Sequence, residues 1–170
     1  MTNTAQHAPA DVINTLAGIT DDSPLAALRA QRADAQKHTQ GSDDALFNPA
    51  DATGLSLIER ELVGLRIGKL NNAPAVAARH RARLQSLNAD AALVGAAEIG
   101  DSKASPRIAA IFEFTHTLTL EPRAATPALI AQLHDAGLSA KDVVTLAQLI
   151  AYLSYQVRLL AGLRALGGAR

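Results

Sequence analysis

The chain has 170 residues, 16 basic and 16 acidic, so its formal net charge is zero; 48% of the residues are apolar and only 3% aromatic. Balanced charge leaves no basic excess for gripping nucleic acid, and the absence of Cys excludes disulfides, thiol catalysis and cysteine-ligated metal sites. A composition rich in Ala and Leu, with few β-branched runs, predicts an all-α protein whose core is aliphatic.

Residues 1–10 are small and polar and are expected to be disordered; they show neither the basic flank nor the hydrophobic stretch of a secretory leader. A short helix is predicted from Asp11 to Leu16, stopped near Gly18. Ser23-Pro24 pairs a hydroxyl cap with proline in the first turn, so a helix should start there and run to Lys37 or beyond. The stretch GSDDALFNPADATG at 41–54 is dense in turn formers and reads as a connection with room for a helical turn inside. Ser56, with Glu59 three residues on, has the pattern of a capping box for a helix to about Leu70.

Further helices are predicted from Pro74 to about Leu87, from an Asn88 cap through Ile99, from Ser105-Pro106 to about Leu120, and from Thr126-Pro127 to a stop at Gly137. GDSKAS at 100–105 reads as a linker. Ser139 and Asp142 cap a last helix to about Leu166, apolar on nearly every side, which suits a core or an oligomer interface. The expected architecture is a bundle of about seven helices. Residues 1–22 form a flexible segment with a short helix, and 23–170 form one helical domain with a core motif at 56–87 and C-terminal helices at 105–166. No run of about 18 apolar residues marks a membrane span, and the cytoplasm is the default location.

The segment ELVGLRIGKLNNAPAVAARHRARL at 61–84 holds the candidate chemistry. At helical pitch Glu61, Gly64 and Gly68 share one stripe, and two glycines inside a helix, each costing roughly 1 kcal/mol against Ala, imply a packing demand that lets another backbone approach there. Glu61 is either a catalytic acid beside the core or a first-turn acid complementing the helix dipole. Val76, His80 and Leu84 share an apolar stripe of the next helix. His80 is either a hydrogen-bonded core residue or, with a carboxylate beside it, a proton shuttle working near neutral pH. Arg79, Arg81 and Arg83 point toward solvent or acids.

The pattern Glu61-Leu62, Leu65, Leu70-Asn71, Ala73, Val76, His80 resembles the core of the carboxymuconolactone decarboxylase and alkylhydroperoxidase D superfamily, and residues 113–166 resemble the helical tail of its peroxidase-related members. The likeness spans roughly residues 24–166. It implies an oligomeric helical bundle (dimer, trimer or hexamer) with Glu61 and His80 as catalytic residues. In the redox branch, cysteines stand at the positions of Ala73 and Val76, and the acid and histidine only activate those thiols. Thiol peroxidase activity is therefore not expected. What remains is acid–base chemistry on a small carbonyl acid or lactone, decarboxylase- or isomerase-like, or an inactive relative that binds a small ligand or builds an oligomer. An anionic substrate would need cationic partners such as the three arginines. Ala73, Val76, Tyr152, Tyr155 and Arg158 are candidate substrate contacts, the last three from the final helix. The expected partner is a small molecule, with no nucleic acid, membrane, cofactor or metal. Glu113 and His116, at i and i+3, read as a surface pair, and His134 as a helix-end residue.

Overall fold

The computed structural model describes residues 11–52, 54–101 and 105–168, and these contain nine α-helices, one 3-10 turn and no strand. The helices are α1 (Val12–Ala17), α2 (Pro24–Ala30), α3 (Ala33–Phe47), α4 (Leu57–Leu70), α5 (Pro74–Ser86), α6 (Ala91–Ile99), α7 (Pro106–Leu120), α8 (Pro127–Asp135) and α9 (Ala140–Gly168). The disorder expected of residues 1–10, and three residues of the 100–105 linker, lie outside the described residues.

Local chemistry sets most boundaries. The Ser56 hydroxyl accepts from the Glu59 amide, and the Glu59 carboxylate accepts from the Ser56 amide at 2.8 Å. Ser139 and Asp142 make the same reciprocal pair at the start of α9, at 3.2 and 2.9 Å. The Ser139 hydroxyl and amide hold the Asp142 carboxyl below its ordinary range. Gly18 and Gly137 close α1 and α8 with left-handed backbone at φ 67° and 84°.

Three expectations are corrected. The helix begun at Pro24 breaks at Gln31–Arg32 and resumes as α3. Residues 41–47 are not a connection: α3 runs through them because Phe47 is fully buried and Asp43 is held by side chains from α5 and α9. Tertiary contacts here override the weak helix preference of Gly-Ser-Asp-Asp. Asn88 is not a cap, since it adopts φ 53°; Asp90 caps α6 instead, accepting from Ala92 at 2.7 Å. The split of 24–47 raises the eight helices placed from the sequence to nine among the described residues.

The hairpin α4–α5 is the centre of the bundle. α4 is covered almost all round, with Leu62, Val63, Leu65 and Ile67 at 0% exposure, and α6, α7 and α9 pack against it. α9 contributes Leu146, Leu149, Ile150 and Leu153 to the same core. By length and composition α9 would also suit a membrane span, but that buried face serves the bundle. A smaller apolar cluster joins Val12 and Ile13 of α1 to Ala73, Val76, Leu160 and Leu163.

Candidate functional site

The two in-helix glycines explain how α4 and α5 come so close. A Cβ at Gly64 would sit 2.5 Å from His80 Nδ1, and a Cβ at Gly68 would sit 2.6 Å from the Ala77 backbone nitrogen. The missing side chains thus make a slot for the imidazole ring and a seat for the first turns of α5.

In that slot Glu61 and His80 meet. Both are fully buried, and His80 Nδ1 lies 2.6 Å from Glu61 Oε2. A carboxylate only accepts, so Nδ1 carries the proton and donates it, which leaves Nε2 as the basic lone pair of the neutral ring. Arg83 Nε donates to the other carboxylate oxygen, Oε1, and Arg83 Nη2 donates to the Phe47 carbonyl at 2.8 Å. Burial pushes the His80 pKa below its ordinary value, with the Glu61 hydrogen bond and charge opposing. Arg83 already balances the Glu61 charge, so protonating His80 would leave an uncompensated cation inside the protein. The neutral imidazole is the resting form.

The buried ring of Phe47 packs against the dyad. The Phe47 ring is 4.9 Å from the His80 ring, and the Arg79 and Arg83 guanidinium carbons stand 5.3 and 5.8 Å from the Phe47 centroid. Both arginines line a cavity of about 590 Å³ between α1, α3 and α5, together with Val12, Leu16, Gln40 and Asp43.

A second polar network runs beside the first. Asp43, 2% exposed, accepts from Arg79 Nη1 and Nη2 at 2.9 and 2.5 Å and from the Tyr152 hydroxyl at 3.1 Å. Gln156 Nε2 donates to the Tyr152 oxygen at 3.2 Å. Burial, reinforced by the Asp43 charge, drives the Tyr152 pKa well upward, so its hydroxyl stays a donor. Nothing in the sequence flagged Asp43, which sits among turn formers. Gln156 was within reach of sequence reasoning, one turn beyond Tyr152 on the same buried face.

The other candidates are distributed unevenly. Ala73 and Val76, at the thiol positions of the resembling family, are 7% and 0% exposed and packed against α1 and the end of α9. Tyr152 belongs to the Asp43 network. Tyr155 is 44% exposed and exchanges a 3.0 Å hydrogen bond with Thr39. Arg158 is not brought to the site: it is exposed and donates to the Ser154 carbonyl of its own helix. The arginines proposed for an anion are all engaged, Arg79 with Asp43, Arg81 with Glu98 and Arg83 with Glu61. His134 Nδ1 donates to the Leu138 carbonyl at 2.8 Å, tying off the end of α8, and Glu113 is exposed with His116 half-buried on α7. Among the described residues no cluster of three or more His, Asp and Glu could hold a metal ion.

The fold is similar to that of an uncharacterized peroxidase-related protein from Silicibacter sp. TM1040, with a TM-score of 0.69 over 76% of this chain and 68% of that one, at 16% sequence identity. A likeness this remote establishes the shared all-helical fold and leaves activity to be argued from the residues. No protein-family model matches the chain, and no curated protein matches it.

Proposed function

We propose that this protein is a cysteine-free relative of the carboxymuconolactone decarboxylase and alkylhydroperoxidase D group, and that Glu61 and His80 perform acid–base chemistry on a small carbonyl compound, a carbonyl acid or a lactone. The observation that supports this is the buried 2.6 Å Glu61–His80 bond, which fixes the tautomer and leaves Nε2 buried and without a hydrogen-bond partner. In the proton-transfer step Nε2 takes a proton from the carbon beside the carbonyl, and the bonding pair passes into the enolate. The transient imidazolium, hydrogen-bonded to Glu61, then gives a proton back to carbon. Delivery to the same carbon, after the Nε2 proton has been replaced by one from solvent, gives exchange, and delivery to a neighbouring carbon gives isomerisation. Arg83 positions Glu61 and does not touch the reacting atoms.

The test is proton NMR in D₂O with a panel of small keto acids and lactones, following loss of the α-proton signal. His80→Gln should slow catalysed exchange by about 100-fold or more. A variant that exchanges as fast as the parent overturns the assignment.

A second reading has its own observation. Neither Glu61 nor His80 lines any described cavity, and Ala73 and Val76 are packed under α1 as core. That arrangement suits an inactive relative that binds a small ligand or builds an oligomer. Val144, Tyr155 and Leu166 of α9 lie eleven residues apart, hence on one stripe, and are 56%, 44% and 54% exposed. Light scattering decides the oligomer arm: a monomer at micromolar concentration contradicts it.

A further inference from the structure

Two consecutive acids of α3 meet opposite fates. Asp43 is buried, and its carboxylate is satisfied by Arg79 and Tyr152. Asp44 is half-buried and lines the cavity between α1, α3 and α5. Among the described residues its carboxylate has no ion-pair partner. Its one side-chain hydrogen bond comes from Gln40 Nε2, 3.0 Å from Oδ1, and Oδ2 accepts nothing. Gln40 is held in that orientation because its Oε1 accepts the Val12 amide proton at 2.9 Å.

The cavity lining therefore carries one unbalanced charge, and it is negative. The two cations of the lining are matched, Arg79 by Asp43 and Arg83 by Glu61. Both Nη atoms of Arg79 donate to Asp43; Arg83 Nε donates to Glu61 and Nη2 to the Phe47 carbonyl and Asn48 Oδ1. An entering anion would meet the Asp44 charge without an uncompensated guanidinium to offset it. An ammonium would meet a carboxylate with one oxygen open, and a half-buried carboxylate makes a stronger charge-assisted hydrogen bond than one in bulk water. Hydrocarbon completes the lining. Val12 and Leu16, one turn apart and so on one face of α1, border the same space as Ala82 of α5. The volume, about 590 Å³, is that of a small-molecule site.

We infer that this cavity binds a small amphipathic amine, with its ammonium on Asp44 and its apolar body against Val12, Leu16 and Ala82. Neither Glu61 nor His80 lines this space, so the inference stands apart from the acid–base reading and does not depend on it.

Three probes sharing a four-carbon body test it: n-butylammonium, 1-butanol and butyrate. Each is titrated into the ¹⁵N-labelled full-length protein while the backbone amides of Leu16, Gln40 and Ala82 are followed. Butylammonium should bind about tenfold more tightly than butanol, and butyrate more weakly than either. In Asp44→Asn, which keeps an acceptor for Gln40, the advantage of butylammonium over butanol should shrink to about twofold or less. Ala82→Leu, at an exposed helix position, fills the space without touching the carboxylate and should weaken butylammonium and butanol alike. Butyrate binding as tightly as butylammonium overturns the inference and moves the site to Arg83. A preference for the amine that survives in Asp44→Asn also overturns it, as does a parent protein whose three amides stay unmoved at millimolar butylammonium.

Discussion

Replacing Gly64 with Ala tests the geometry at its tightest point. In an exposed helix interior this change should stabilise by roughly 1 kcal/mol through helix propensity. Here the new Cβ would lie 2.5–2.6 Å from Nδ1, Cδ2 and Cε1 of His80, well inside contact distance. The ring has nowhere to retreat, being fully buried with Phe47 4.9 Å away and Glu61 bonded at 2.6 Å. Overpacking of this kind costs about 1–3 kcal/mol, and stretching the Glu61–His80 bond adds to it. Subtracting the propensity gain leaves a net loss of about 2 kcal/mol. The control is Gly41→Ala on α3, where a Cβ meets nothing within 4 Å and the backbone is ordinary helix; it should gain about 0.5–1 kcal/mol. Urea denaturation of both variants reads the two signs directly. Equal stabilisation by both substitutions would refute the claim that Gly64 exists to seat the imidazole.

Other outcomes follow from the same contacts. Because burial lowers the His80 pKa in the folded state, the native protein binds fewer protons than the unfolded chain just below pH 6.5. The His80 contribution is thus intact above about 6.5 and declines as pH falls from there toward the depressed native value, by at most about 1.4 kcal/mol per pH unit. In His80→Gln that dependence should vanish from melting curves, whereas the Asp142 contribution, its pKa lowered, fades only as pH falls below the ordinary carboxyl value of 3.8. Tyr152→Phe removes the hydroxyl between Asp43 and Gln156 and should cost about 1–3 kcal/mol in chemical denaturation, with a negligible change meaning that the network is not formed. Asp43→Ala strands the mostly buried Arg79 cation and should cost more, about 3 kcal/mol; a smaller loss than Tyr152→Phe would contradict the ordering. Val76→Cys places a thiol under α1, so aromatic disulfide reagents should label it slowly in the native protein and faster when Ile13→Asp loosens that cover; equal rates would show that α1 does not shield the position.

Much of the fold was written in local chemistry. Ser56/Glu59 and Ser139/Asp142 announced their helices, Pro106 and Pro127 marked first turns, and the Gly64–Gly68 stripe told of a close approach before any partner was known. The Glu61–His80 pairing was suggested by the family resemblance; the helical stripes alone left each residue a plain structural reading, and the contact itself came from the fold. What escaped depended on partners distant in sequence. Asp43 looked like a turn former because Arg79 and Tyr152, which hold it in a helix, lie 36 and 109 residues away. The three arginines looked like a cationic patch because their acids, Asp43, Glu98 and Glu61, are scattered along the chain. The role of α1 as a cover over Ala73 and Val76 likewise rests on a non-local apolar contact that no spacing rule encodes.

The central claim is that His80 is a neutral, buried base whose Nδ1 proton is held by Glu61. The most direct measurement is the ¹⁵N spectrum of the histidine rings across pH, with His80 assigned by its loss in His80→Gln. The account predicts a protonated Nδ1 and an unprotonated Nε2 at pH 7, with no titration of that ring until well below pH 6.5. An imidazolium at neutral pH, or a proton on Nε2 in place of Nδ1, would contradict it.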